Sequence, residues 1–210
     1  MAKSLISILF LFPVLSWAVT PLLPNNYLSV PILRQATHYS CGASALQAVL
    51  QYWKVFEGGE SELYKVVGTT EKDGSSPWGL SNAAKTFGLK AEYKENLGLP
   101  DLQTYLAQGI TVILDLQAWR DDAEANIPWR DSWENGHYVV LIGMGENKIF
   151  VMDPSTASGY AYVPIDEFLE RWHDYETMID GSIWRNQHLG IIIQGQDFLS
   201  SYPAAVEKMN

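Results

Sequence analysis

The sequence predicts an α+β fold in which N-terminal helices pack on a C-terminal antiparallel sheet. Two observations predict it. Apolar residues recur at helical spacing through the first half of the chain, and β-branched apolar runs separated by Gly- and Asp-Pro-containing turns dominate from Ile110 onward. About 190 residues follow an N-terminal leader, enough for one domain, and eight tryptophans and eleven tyrosines supply buried area.

Residues 1–18, "MAKSLISILFLFPVLSWA", carry an early lysine, an apolar run and small residues at Ser16 and Ala18. This is the pattern of a secretory signal peptide cut after Ala18, and it predicts an exported protein, periplasmic or secreted. The run Leu5 to Val14 is too short to span a bilayer and no later segment offers eighteen uninterrupted apolar residues, so no stable membrane insertion is expected after cleavage. Residues 19–30, with two prolines and two asparagines, predict an extended lead-in to a domain over 31–195, with 196–210 as a C-terminal tail.

Within "CGASALQAVLQYW", Ala45, Leu46, Val49, Leu50 and Trp53 form one helical stripe, which puts Cys41 at the first turn. A second helix is expected over about Leu80 to Phe87, stopped by Gly88, and a third over "LPDLQTYLAQG", with Asp101 near its start and Gly109 as its stop. "ITVILDLQAW" predicts a buried strand and "HYVVLIGMGENKIFVMDP" a hairpin. In "IDEFLERWHDY", Ile165, Phe168, Leu169 and Trp172 have helical spacing, and "HLGIIIQG" predicts a last strand.

The net charge of −10 comes from scattered Asp and Glu, a surface that repels phosphate backbones and anionic lipid and so argues against nucleic acid as a partner. A single cysteine excludes an internal disulfide, leaving Cys41 as either a buried small residue or a reactive thiol. A helix N-terminus stabilises a thiolate through its unsatisfied N–H groups and dipole. A thiol nucleophile also needs a base, a group to orient the base, and donors for an oxyanion.

Among the four histidines, His137 opens one strand of the predicted hairpin and Asp153 closes the other. A turn through Met144, Gly145 and Glu146 sets them directly opposite on one face, where the carboxylate would hold the imidazole. Taken singly, His137 reads equally as a core histidine and Asp153 as an Asp-Pro turn former. Gln35, six residues before Cys41, places an amide within reach of an oxyanion, though a lone loop glutamine is commonly solvated. His38 reads as pocket wall or surface, His173 as a helix-end residue, and His188 carries no specific signal.

Residues 117–136 contain Trp119, Trp129 and Trp133 and end at Gly136 beside His137; they read either as a lid or substrate wall or as a loop packed down by its tryptophans. There is no paired-Cys or closely spaced His motif. "GTTEKDGSSPWG" lacks the spacing of a calcium or phosphate loop, so neither metal nor cofactor is expected.

Gln35, "SCGASAL", "GLSNAAKTFGL", "GHYVVLIG", "DP" at 153–154 and "FLERW", in this order, resemble the bacteriocin-processing (double-glycine leader) peptidase family of the papain-like clan. The resemblance implies a papain-like fold with Cys41 as nucleophile, His137 as general base and acid, Asp153 orienting His137, and Gln35 in the oxyanion hole. It implies a peptide or protein substrate, cleaved through a thioester acyl-enzyme. Ser40 stands where many members have an acidic residue, and the best-known members are cytoplasmic domains of transporters that cut after a Gly-Gly pair, unlike a chain with its own signal peptide. The reading is an exported cysteine peptidase. The alternatives are a catalytically silent peptide-binding module of the same fold and a transferase that passes the acyl group to an amine.

Overall fold

Helix-forming segments precede most strand-forming ones, and the computed structural model, which describes residues 23–156, 159–201 and 205–209, keeps that division. The expected signal peptide lies outside the described residues. Helix α1 (Cys41–Tyr52) is buried almost throughout, including all of its predicted stripe, so it runs through the core. A single turn, α2 (Tyr64–Val67), precedes α3 (Pro77–Thr86). The latter begins three residues before the expected Leu80. Pro77 occupies the first position, where a missing N–H costs nothing, and Ser76 Oγ accepts from Gly79 N at 3.2 Å. Helix α4 (Leu99–Ala107) starts where the Asp101 carboxylate accepts from Gly98 N at 2.7 Å, and ends before Gly109, whose φ of 69° suits glycine.

The strands are β1 (Lys90–Lys94), β2 (Thr111–Gln117), β3 (Gly136–Met144), β4 (Lys148–Met152), β5 (Gly159–Pro164), β6 (His173–Thr177), β7 (Ile183–Gln187), β8 (Gly190–Gln194) and β9 (Ala205–Lys208), with helix α5 (Ile165–Arg171) between β5 and β6. Seven of them form one sheet in the order β1-β8-β2-β3-β4-β5-β9, and β6 and β7 form a separate hairpin. Every residue of β2 is buried, which explains a continuous apolar run in place of alternation. Helix α1 packs on β3, α3 on β1 and β8, and α4 on β2. Among the described residues no helix is long and apolar enough to cross a membrane.

Besides the early start of α3 and the unanticipated β6–β7 hairpin, the structure departs from the sequence reading at three places. Residues 205–208, expected in a tail, form β9 and pair parallel with β5, the one parallel ladder among antiparallel ones in the described residues. His173 is not at a helix end: it opens β6 and is buried, with Nε2 2.7 Å from Ser132 O. The β3–β4 turn spans Gly145 to Lys148, closed by Gly145 N donating to Lys148 O at 2.8 Å, and with a bulge between Leu141 and Gly143 it pairs Val140 with Met152. Extending that pairing sets 139, not 137, opposite 153. An offset of two residues leaves a side chain on the same face, so His137 still meets Asp153, diagonally.

Candidate active site

The segment before α1 is held at both ends. Ser40 Oγ accepts from Thr37 N at 3.0 Å and donates to Thr37 O at 3.1 Å, tightening the turn that delivers Cys41. Behind it, the buried Glu60 carboxylate accepts from Ala36 N at 3.1 and 3.3 Å and from Tyr64 OH at 2.5 Å. Gln35 N donates to Pro154 O at 3.0 Å, and Ser155 Oγ donates to Gln35 Oε1 at 3.0 Å. The loop before the helix is thereby stitched to the turn that carries Asp153.

Cys41 is the first residue of α1 and half-buried. No acidic side chain occupies the first turn, so no carboxylate of α1 itself opposes the positive end of the helix dipole at the thiol. Gly42 follows because a Cβ there would lie 2.6 Å from Ser75 Cβ and 3.0 Å from the Tyr138 ring. A larger residue would push the helix start off the sheet.

His137 Nε2 and Asp153 Oδ1 are 2.7 Å apart, with side-chain exposures of 7% and 0%. With Nε2 held by the carboxylate, Nδ1 is the nitrogen left for the thiol. Asp153 has two further donors: Ser155 N at 2.7 Å on Oδ1, and Trp119 Nε1 at 2.9 Å on Oδ2. Trp119 takes a positive φ of 60°, a costly backbone conformation for a bulky residue, and its indole N–H is satisfied by Asp153.

Burial works against the charged form of His137, but the Asp153 charge and hydrogen bond, reinforced by Cys41, outweigh it and push the imidazole up to about 10. Burial likewise works against the Asp153 carboxylate. His137 overrules it, helped by Ser155 N and Trp119, and the group is held below the usual carboxylate range. The pair is therefore an ion pair at neutral pH.

Cys41 opens onto a cleft of about 340 Å³. Of the four residues expected to bind substrate, Trp133 and Gly136 line this cleft, whereas Trp119 and Trp129 are not among its walls. Trp119 is turned to Asp153, and Trp129 lies between the guanidinium groups of Arg120 and Arg171, 3.8 and 3.6 Å from its ring centroid. Trp133 packs on His173 with centroids 4.3 Å apart. His38 is exposed on the cleft wall, and His188 stacks on Trp172 at 4.7 Å.

Sequence reading missed the acids beneath the cleft. Asp115 interrupts the buried run of β2, and Asp174 and Glu176 project from the same face of β6. Burial pushes Asp174 up to about 6 and Glu176 up to about 8, and holds Asp115 well above the usual range. The available signal was a lone carboxylate in "ITVILDLQ", a position where an unpaired charge is expensive.

A cysteine at the start of a buried helix, facing a histidine on an antiparallel sheet, is the architecture of papain-like peptidase domains. The model of the Peptidase_C39-like family matches residues 27–179, and the chain belongs to that family. Among solved structures, a double-glycine motif protease from an AMS/PCAT transporter, solved with a leader peptide, is 20% identical, with 83% of this chain and 97% of that one covered and a TM-score of 0.55. The peptidase domain of Streptococcus ComA is 17% identical over 80% of this chain and 99% of its own, with a TM-score of 0.57. A C39-like peptidase from Bacillus anthracis is 20% identical over 81% and 98%, also at 0.57. At these identities the likeness is one of fold. A comparison with curated proteins returns no match.

Proposed function

We propose that the protein is an exported cysteine peptidase that hydrolyses peptide or amide bonds. The observation that supports this reading best is the buried His137–Asp153 ion pair set beside the one thiol of the chain at a helix start. The Cys41 thiolate attacks the scissile carbonyl, and the oxyanion is received by the Cys41 N–H and by Gln35 Nε2. Thr37 O takes one Gln35 N–H at 2.8 Å, and the second N–H serves the oxyanion. His137 gives its proton to the leaving amine and leaves a thioester on Cys41. It then takes a proton from water, which attacks the thioester and releases the acid. A peptide substrate is supported by the leader peptide held by the AMS/PCAT-type protease. Export rests on residues 1–18 and is tested by cell fractionation with N-terminal sequencing, where a mature chain starting at Val19 is expected.

The activity is tested with a pool of internally quenched decapeptides incubated with the chain and with its Cys41→Ala variant. Cleavage by the first and none by the second is expected. Equal cleavage by both, or none by either across the pool, contradicts the reading.

A further inference from the structure

We infer that Ser155 is a positioning residue of the oxyanion hole: its hydroxyl holds the Gln35 amide in the orientation that turns an N–H toward the tetrahedral oxyanion. This deepens the peptidase reading and rests on it.

Ser155 is itself held by a closed turn. Thr156 N donates to Asp153 O at 3.2 Å, Ser155 N donates to Asp153 Oδ1 at 2.7 Å, and Pro154 presets the backbone between them. From this turn Ser155 Oγ lies 3.0 Å from Gln35 Oε1, and Pro154 O receives Gln35 N at 3.0 Å. Main chain and side chain of Gln35 are therefore both tied to residues 154 and 155.

A glutamine amide has a donor end and an acceptor end of nearly equal size, and only the donor end stabilises an oxyanion. Thr37 O takes one Gln35 N–H at 2.8 Å, which alone leaves the amide hinged at a single point. Ser155 Oγ supplies the second point. A hydroxyl donor on Oε1 keeps that oxygen away from the site of attack, and by drawing charge toward it strengthens the N–H donors at the other end. Both residues are half-buried, so without the hydroxyl water competes for Oε1. The chain of bonds continues to the nucleophile, since Thr37 N and O both engage Ser40 Oγ, at 3.0 and 3.1 Å, in the residue before Cys41.

Ser155 serves the two arms of the site through different atoms. Its N–H belongs to Asp153 and its Oγ to Gln35. Ser155→Ala removes the second bond and keeps the first, so the loss falls on the oxyanion and spares the imidazole.

The test compares the wild-type chain with Ser155→Ala, Ser155→Thr, Gln35→Ala and the Gln35→Ala/Ser155→Ala double variant on a cleaved decapeptide. Ser155→Ala is expected to lower kcat roughly three- to tenfold, the effect of one neutral hydrogen bond, with little change in KM. Gln35→Ala, which removes the donor itself, should cost about 10²-fold or more. In the Gln35→Ala background the serine change should do nothing further, because the amide it positions is gone. Ser155→Thr keeps a hydroxyl and should recover most of the loss. Alkylation of Cys41 by iodoacetamide forms no oxyanion and should run at the wild-type rate in Ser155→Ala. Full activity in Ser155→Ala, an equal loss in both backgrounds, or slowed alkylation overturns the proposal. The placement is also read without turnover, from the Gln35 side-chain amide in the proton–nitrogen correlation spectrum, assigned by its absence from Gln35→Ala. Its heteronuclear NOE should match the α1 backbone in the wild type and fall clearly in Ser155→Ala; an equally ordered amide in both proteins overturns the proposal. If the NOE falls as expected but the wild-type chain cleaves none of the decapeptides, the placement by Ser155 stands and the peptidase reading fails.

Discussion

Replacing Asp153 with asparagine keeps the shape of the side chain and removes its charge. With its oxygen toward His137, the amide still accepts from Nε2 and Ser155 N but turns its NH2 against the Trp119 indole N–H, a donor facing a donor. With the amide flipped, Trp119 is satisfied and the NH2 faces His137 Nε2. That fixes the ring proton on Nδ1, where it blocks acceptance of the thiol proton. Neither orientation preserves the site. A rise of the imidazole from 6.5 to about 10 represents at most about 5 kcal/mol of preference for the imidazolium. Once the carboxylate charge is gone, the desolvation it overrides makes the ring neutral at pH 7. Asp153→Asn should lower kcat/KM on a cleaved decapeptide by roughly 10³- to 10⁴-fold, mostly in kcat. A raised folded-state value stabilises the protein fully below 6.5, and that contribution is lost as pH climbs through about 10. The wild-type melting temperature should therefore fall between pH 7 and 10, and the variant should lose that part of the slope. Activity within tenfold of wild type, with the slope unchanged, would refute the assignment of Asp153 as the group that charges and orients His137.

Trp119→Phe removes one donor from Asp153 Oδ2 and keeps a ring in place. A bond to a charged group is worth about 1.5–3 kcal/mol, so roughly a tenfold or greater loss of activity is expected. Because a lowered carboxylate contributes above its unfolded value and loses that contribution as pH falls through the folded one, the acid limb of the pH profile should move upward. Gly42→Ala drives a methyl into Ser75 and should cost about 1–3 kcal/mol in chemical denaturation, with reduced activity from a displaced helix start. Glu176 has a carboxyl that burial pushes from 4.5 up to about 8, so the wild type loses stability as pH rises through that window, and Glu176→Gln removes the loss. The variant should melt at least about 2 °C above wild type at pH 8, with a smaller difference at pH 4.5.

Helix α1, the continuous burial of β2 and the pairing of β3 with β4 were legible because each carries a strong periodicity or a bounded apolar run. The partnership of His137 with Asp153 survived a wrong turn assignment because the error was an even number of residues, and parity alone decides the face. Long-range contacts were not legible. Trp119 reads from its neighbours as loop or wall, and only the fold brings its indole to a residue 34 positions away. The β6–β7 hairpin was lost because "RWHDYET" continues a helical pattern, whereas the chain leaves helical geometry at Trp172, with φ −79° and ψ 68°. With it went the view of Asp174 and Glu176 as cleft residues.

The central claim, that Cys41 and His137 form a reactive pair, is tested most directly by the rate of Cys41 alkylation by iodoacetamide from pH 4 to 9 in the wild-type chain and in His137→Ala. The single cysteine makes the signal unambiguous. The account predicts rapid alkylation already at pH 5–6 in the wild type, and a profile in the variant that rises only toward the range of an ordinary thiol, about 8.5. Superimposable profiles for the two proteins, or a thiol inert throughout, would contradict it.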